Sequence, residues 1–207
     1  LRGVSLLVSE TFDAGVAADS KRARVLEAAM KVVLVYGYHR TTMDDIARAA
    51  QMSRPALYLL FRNKAEIYRA IAGRMFDQSR QRMQELLEGP GSLGERLYAA
   101  IEATMIDMIC AIKQSPHGAE ILDLRNELAG DLVKNWHSGV ARLFRAAIAE
   151  ETGRTGVDLK QRGLCAEVLA ELLVDGLEGM KMRTSDDAAQ AAAARQLVRV
   201  IELSIER

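Results

Sequence analysis

Three helix starts are crowded between Thr42 and Asn63, and this crowding limits what the chain can fold into more than any other feature. Thr42 is suited to N-cap a helix in which Met43, Ile46, Ala47 and Ala50 fall at i, i+3, i+4 and i+7, with Asp45 at the N3 position of a capping box. Asp44 and Asp45 also sit where a helix dipole favours negative charge. Ser53 is suited to cap a second helix. Met52 and Leu57 flank that start with the spacing of a hydrophobic staple, and Pro55 falls in the first turn, where a missing N–H costs nothing. Asn63, with Glu66 three positions on, begins a third helix. Starts this close leave room only for a short helix, a tight turn and another short helix leading into a longer one, which is a helix-turn-helix.

The same periodicity runs through the rest of the chain. Upstream, a helix is expected from about Ser20 to Tyr36, with Val25, Ala29, Val32 and Tyr36 along one face and Gly37 placed to end it. Downstream, Lys64 to about Glu88 would span about 37 Å at the rise of an α-helix. After Gly89-Pro90-Gly91, longer helices are expected at 92–113, 117–128, 131–152, 158–183 and 186–206. The chain has only three prolines and no strand-like alternation. The fold class is therefore all-α: an N-terminal three-helix bundle with a helix-turn-helix, followed by a larger helical domain, about nine helices in total. Residues 1–18 show no period and read as a flexible arm, residues 19–66 as the helix-turn-helix domain, and residues 67–207 as the second domain.

Several function classes drop out. No apolar run approaches the roughly 20 residues of a membrane span, and Val4 to Val8 is too short for a signal peptide, so a cytoplasmic protein without membrane partners is expected. Cys110 and Cys165 lie far apart in helical patterns and read as small buried hydrophobes of a reducing compartment. His39, His117 and His137 do not have the spacing of a metal site. With no nucleophile–base pairing and no phosphate-cradling glycine loop, neither an enzyme nor a cofactor is expected.

The second short helix of the trihelical segment carries the functional signal. Leu57, Leu60 and Phe61 share one face and should pack inward, leaving Arg54, Pro55, Ala56, Tyr58 and Leu59 at the front or edge. A recognition helix needs such a front to enter a major groove. Arg54 can reach a guanine edge or a phosphate. The Tyr58 hydroxyl suits a phosphate, and Lys64 adds charge near a helix N-terminus that already favours an anion. Charge is segregated to match. Residues 20–64 hold nine cations against three anions, a net +6 in a chain whose total is zero. A basic head on an acidic remainder suits phosphate binding at one end.

Thr41-Thr42, Asp45-Ile46-Ala47, Met52-Ser53, Ala56-Leu57-Tyr58, Phe61, Asn63-Lys64 and Glu66 together resemble the signature of the tetracycline-repressor family over roughly residues 21–70. The resemblance implies a homodimer, an N-terminal DNA-binding domain and a divergent helical domain for ligand and dimerisation. Carried over by motif position, Thr42, Arg54, Pro55, Ala56, Tyr58 and Lys64 would touch DNA. The chain departs from the family at Leu60, where a polar or aromatic residue often meets phosphate, and Leu59 is apolar too, suited to a thymine methyl.

The resemblance also directs attention to residues 158–206 as the dimer-forming part. Val168, Leu169, Leu172, Leu173, Gly176 and Met180, with Leu197, Ile201 and Ile205, make a stripe suited to a four-helix interface. The alternative is that this stripe packs within its own subunit. Candidates for a mostly apolar ligand pocket are Met105, Met108, Ile112, Arg125, Trp136 and Phe144. The expected function is a repressor that binds double-stranded operator DNA as a dimer and is released by a small molecule. The alternative is a helical adaptor without DNA binding.

Overall fold

The computed structural model describes residues 20–206, leaving aside the side chains of residues 20, 125 and 126; the expected arm at 1–18 lies outside the described residues. Every regular element among the described residues is helical. The order is α1 Ser20–Tyr36, α2 Met43–Ala49, α3 Arg54–Leu60, α4 Lys64–Leu87, α5 Leu93–Ile101, a π turn Glu102–Ile106, α6 Asp107–Lys113, α7 Gly118–Thr155, a 3-10 turn Leu159–Arg162, α8 Ala166–Arg183 and α9 Asp187–Ile205. Among the described residues, no helix is long and apolar enough to cross a membrane. The described chain groups into two compact units: residues up to 78 with 108–133, and residues 79–107 with those from 134 onward.

In the first unit, Val25, Ala29, Met30 and Leu34 of α1 close on Ile46 and Ala47 of α2, Leu57 and Phe61 at α3, and Ile67 and Ile71 of α4. Ile112, Ile121 and Leu124 join the same core, so the segment 108–133 packs with the helix-turn-helix. The buried face of α1 runs through Val25, Leu26, Ala29, Met30 and Val33, and Tyr36 faces outward, contrary to its expected place on that face. Gly37 ends α1 at φ +84, and a Cβ there would lie 2.5 Å from Glu120 Oε2. Both the left-handed backbone and the lack of space favour glycine.

The expected helices at 117–128 and 131–152 are one element, α7, interrupted only at Ala129 (φ −136, ψ 23). Such a break strands carbonyls that a regular helix would use. Arg69 of α4 meets that need: its Nη1 donates to the Leu128 carbonyl, and the guanidinium forks onto Asp131 at 2.8 and 2.7 Å. The hydrogen bond from Arg69 holds the Asp131 carboxyl at about 2.

In the second unit, the helix expected over 92–113 is divided by the π turn. Thr104 Oγ1 donates back to Ala100 O at 2.6 Å inside it, a bond that competes with the backbone ladder. Buried Arg96 donates to Leu87 O at 2.6 Å and lies 3.4 Å from Glu151. The helix expected from 158 starts only at Ala166, because Asp158 caps the short 3-10 turn and Gly163 leaves it at φ +69. Cys165 is exposed at the start of α8 and Cys110 is half-buried, correcting the expectation that both are buried; neither is in a disulfide.

Glu178 of α8 takes Lys181 Nζ at 2.6 Å and His137 Nε2 at 3.2 Å on the same oxygen. Burial works to raise its carboxyl, but the hydrogen bond from His137 and the charge of Lys181 outweigh it and hold the group at about 2. A carboxyl depressed in the folded state contributes stability above its ordinary value of 4.5 and loses it as pH falls through about 2. Glu178→Gln is therefore expected to lower stability at neutral pH and to flatten the acid limb between these values. Urea titrations of both proteins across that range measure it; parallel limbs would refute the assignment.

Candidate nucleic-acid interface

The trihelical segment is fixed by its caps. Thr42 Oγ1 accepts from Asp45 N at 3.2 Å, and Asp45 Oδ2 accepts from Thr42 N at 3.0 Å, closing the capping box of α2. The Thr42 hydroxyl donates to the same carboxylate at 2.6 Å, and this bond holds Asp45 below the usual carboxylate range. Ser53 accepts from Ala56 N at 3.4 Å at the start of α3, and Asn63 Oδ1 accepts from Glu66 N at 2.9 Å at the start of α4. Between α2 and α3 the turn passes through Gln51 at φ +54, a left-handed conformation that a glycine would adopt more easily. Composition gave no hint of this turn geometry.

α3 has a dry back and a wet front. Leu57 and Phe61 are fully buried, and Leu60 is half-buried against the same core. Tyr58 and Leu59 stand out with 43% and 87% of their surface accessible, alongside exposed Arg54 and Pro55 and half-buried Ala56. Arg54 is oriented by two neighbours. Asp44 of α2 lies 3.4 Å from its Nε, and its guanidinium carbon stands 5.6 Å from the Tyr58 ring centroid. Thr42 is exposed at the start of α2.

Lys64, expected at the DNA backbone, is engaged within the chain. Its ammonium donates to Tyr38 O at 2.9 Å, His39 O at 3.1 Å and Thr41 O at 3.1 Å, and lies 4.5 Å from the Tyr38 ring centroid. These three carbonyls belong to the segment joining α1 to α2, which Lys64 ties to the start of α4. Arg22 was not singled out in the sequence but has a comparable task. It donates to Leu60 O at 2.8 Å and covers the Phe61 ring at 4.0 Å, bracing the end of α3 from behind. Lys21, Arg24, Arg40, Arg48, Arg54 and Arg62 remain exposed.

The other site candidates divide between the units. Met108 and Ile112 lie in the first, lining an apolar cavity with Met30, Tyr68 and Met75. Met105, Trp136 and Phe144 are buried in the second, where Trp136 Nε1 donates to Ser79 Oγ at 3.3 Å. The Arg125 side chain lies outside those described. Of the stripe on α8 and α9, Leu169, Leu173, Met180, Ile201 and Ile205 are buried within the chain. Gly176 admits Leu197, whose Cδ2 would lie 2.8 Å from a Cβ there. Val168 and Leu172 face outward, as do Val200 and Leu203, which the candidate stripe left out.

A short helix braced from behind, with its front exposed beside a basic surface, defines a helix-turn-helix DNA-binding regulator. Residues 25–71 match the family model of bacterial regulatory proteins, tetR family. The chain is 35% identical over 108 residues to the uncharacterized HTH-type transcriptional regulator TtgW of Pseudomonas putida, covering 51% of this chain and 76% of TtgW. It is 38% identical over 85 residues to the HTH-type transcriptional activator FasR of Mycolicibacterium smegmatis, a match spanning 41% of this chain but only 39% of FasR. The fold is also that of SmeT, the repressor of a Stenotrophomonas maltophilia multidrug efflux pump, with a TM-score of 0.62, 17% identity, and coverage of 92% of this chain and 91% of SmeT. The chain belongs to the tetR family of bacterial regulatory proteins.

Lys64→Met separates a positioning role from a phosphate contact. Loss of the three carbonyl bonds should lower thermal stability and weaken DNA binding, with the slope of log affinity against log salt unchanged. A lost phosphate contact would instead reduce that slope by about 0.9.

Proposed function

We propose that the protein is a transcriptional repressor that grips a palindromic operator as a homodimer and is released by a small molecule. The observation that carries this reading is α3, whose back is buried at Leu57 and Phe61 while Arg54, Tyr58 and Leu59 remain open to a groove. In this reading Arg54 takes a guanine edge, and the Tyr58 hydroxyl takes a phosphate. Leu59 meets a thymine methyl. Pro55 and Ala56 allow close approach, and Thr42 brings the amino end of α2 to the backbone. Repression is favoured over activation by the likeness to SmeT across most of both chains, whereas the match to FasR covers less than half of each. The acting compartment is the cytoplasm, where the chromosome is reached, and the protein performs no catalysis.

The homodimer is assigned to the outward face of α8 and α9. Val168, Leu172, Val200 and Leu203 are large apolar side chains left in solvent, Leu172 at 56% and Val200 at 61% exposure. For two recognition helices of a dimer to enter successive major-groove faces they must lie about 34 Å apart. The effector acts only through its differential affinity for dimer geometries that do and do not fit that spacing.

Selection of bound duplexes from a random pool should return a two-fold symmetric sequence. Enrichment indistinguishable from random duplex would end the repressor reading. Against the selected operator, Arg54→Ala should cost about 1–3 kcal/mol and relax the preference at one base pair per half-site, whereas Tyr58→Phe should weaken all duplexes evenly. Leu172→Glu is expected to give a folded monomer by analytical ultracentrifugation, with operator affinity down at least a hundredfold. A dimer persisting in this variant would move the interface elsewhere.

A further inference from the structure

The first unit contains an apolar cavity of about 40 Å³ between α1, α4, α6 and the start of α7. Its walls include Met30, Tyr68, Met75, Met108, Ile112 and Ile121, and no charged side chain lines it. Tyr68 is the one polar side chain there, and its hydroxyl is engaged, donating to Ile121 O at 2.7 Å. Such a space offers no partner to a carboxylate, an amine or a buried hydroxyl, each of which would lose its hydration without replacement. Three of its walls are methionines, whose unbranched, polarisable side chains re-pack around a guest. Met75, Met108 and Leu122 are only half-buried, so these three walls reach solvent.

What lies next to the cavity gives it a consequence. Ile121 is one wall, and its neighbour Glu120 reaches the segment joining α1 to α2. Glu120 Oε1 accepts from His39 N at 2.8 Å, and Oε2 lies 3.4 Å from His117 Nδ1. That segment runs directly into Thr42, the cap of α2. Met30 of α1 lines the same cavity from the helix-turn-helix side.

We propose that this cavity is the effector site, that it takes a single uncharged alkyl chain, and that Glu120 passes its occupancy to the segment preceding α2. The proposal rests on the reading of the protein as a ligand-responsive regulator and names the site and ligand class for it. The guest enters by rotating the methionines apart. This displaces the first turn of α7 and draws Glu120 from His39, loosening the seat of the helix-turn-helix.

The test uses the full chain, 1-octanol as probe and 1,8-octanediol as its bipolar counterpart. Calorimetry without DNA should show octanol binding, with octanediol at least tenfold weaker because its far hydroxyl would be buried unpaired. With methyl-¹³C methionine, octanol should shift the Met30, Met75 and Met108 resonances and leave Met83 and Met180 in place. Ile112→Phe, which fills the cavity, should weaken octanol at least tenfold with unchanged operator affinity in its absence. Should that variant misfold, the methyl shifts decide alone. Glu120→Ala should bind octanol within twofold of the parent, while the octanol-induced loss of operator affinity shrinks at least threefold. No octanol binding, equal binding of the diol, or shifts at other methionines overturn the site. An undiminished octanol response in Glu120→Ala overturns the relay. Failure to bind any operator, with octanol binding intact, would strike the repressor reading and leave the site standing.

Discussion

Burial of Leu57 and Phe61 behind α3 is the contact on which the rest of the molecule depends. A helix of seven residues is too short to hold itself in water, so its position is set by what its back face touches. Two large side chains withdrawn from water contribute about 1.5–3 kcal/mol each, enough to dock the helix in one orientation. Arg22 adds a bond to the last carbonyl of α3 and a lid over the Phe61 ring. With the back so anchored, residues on the front carry no duty to the fold.

The segment between α1 and α2 is the second half of this construction. It has little apolar content of its own to hold it, apart from Tyr38. It is tied instead by polar atoms from two directions: Lys64 from the start of α4 and Glu120 from the start of α7. Gly37 makes this possible, because any side chain there would occupy the space of the Glu120 carboxylate. The cap of α2 therefore inherits its position from residues far along the chain, and a change at residue 120 reaches a surface that it never touches.

How much of this could be read beforehand follows from the range of each interaction. The caps at Thr42, Ser53 and Asn63 are local, linking residues three positions apart, and the sequence displays them openly. The inward face of α3 is likewise a matter of spacing. Lys64 and Arg22 were opaque because a cation in a basic segment looks the same whether it faces solvent or a carbonyl from 26 or 38 residues away. The π turn, the break at Ala129 and the late start of α8 escaped detection for a related reason. Each is stabilised by a distant or non-repeating bond that periodicity does not register. Leu169 and Leu172 belong to one hydrophobic stripe by composition, yet one is buried and the other exposed. Tertiary packing, not composition, separates them.

The tripod beneath Lys64 also alters its chemistry as an amine. Its nitrogen can meet a reagent only by leaving the carbonyls of Tyr38, His39 and Thr41. Acylating reagents should therefore pass over this lysine in the folded chain while marking the exposed Lys21 and Lys31. Once acylated, its nitrogen would keep a single proton for three acceptors, and the segment beneath α2 would come loose. The reactivity of one lysine thus becomes a gauge of how firmly the DNA-facing end of the molecule is seated.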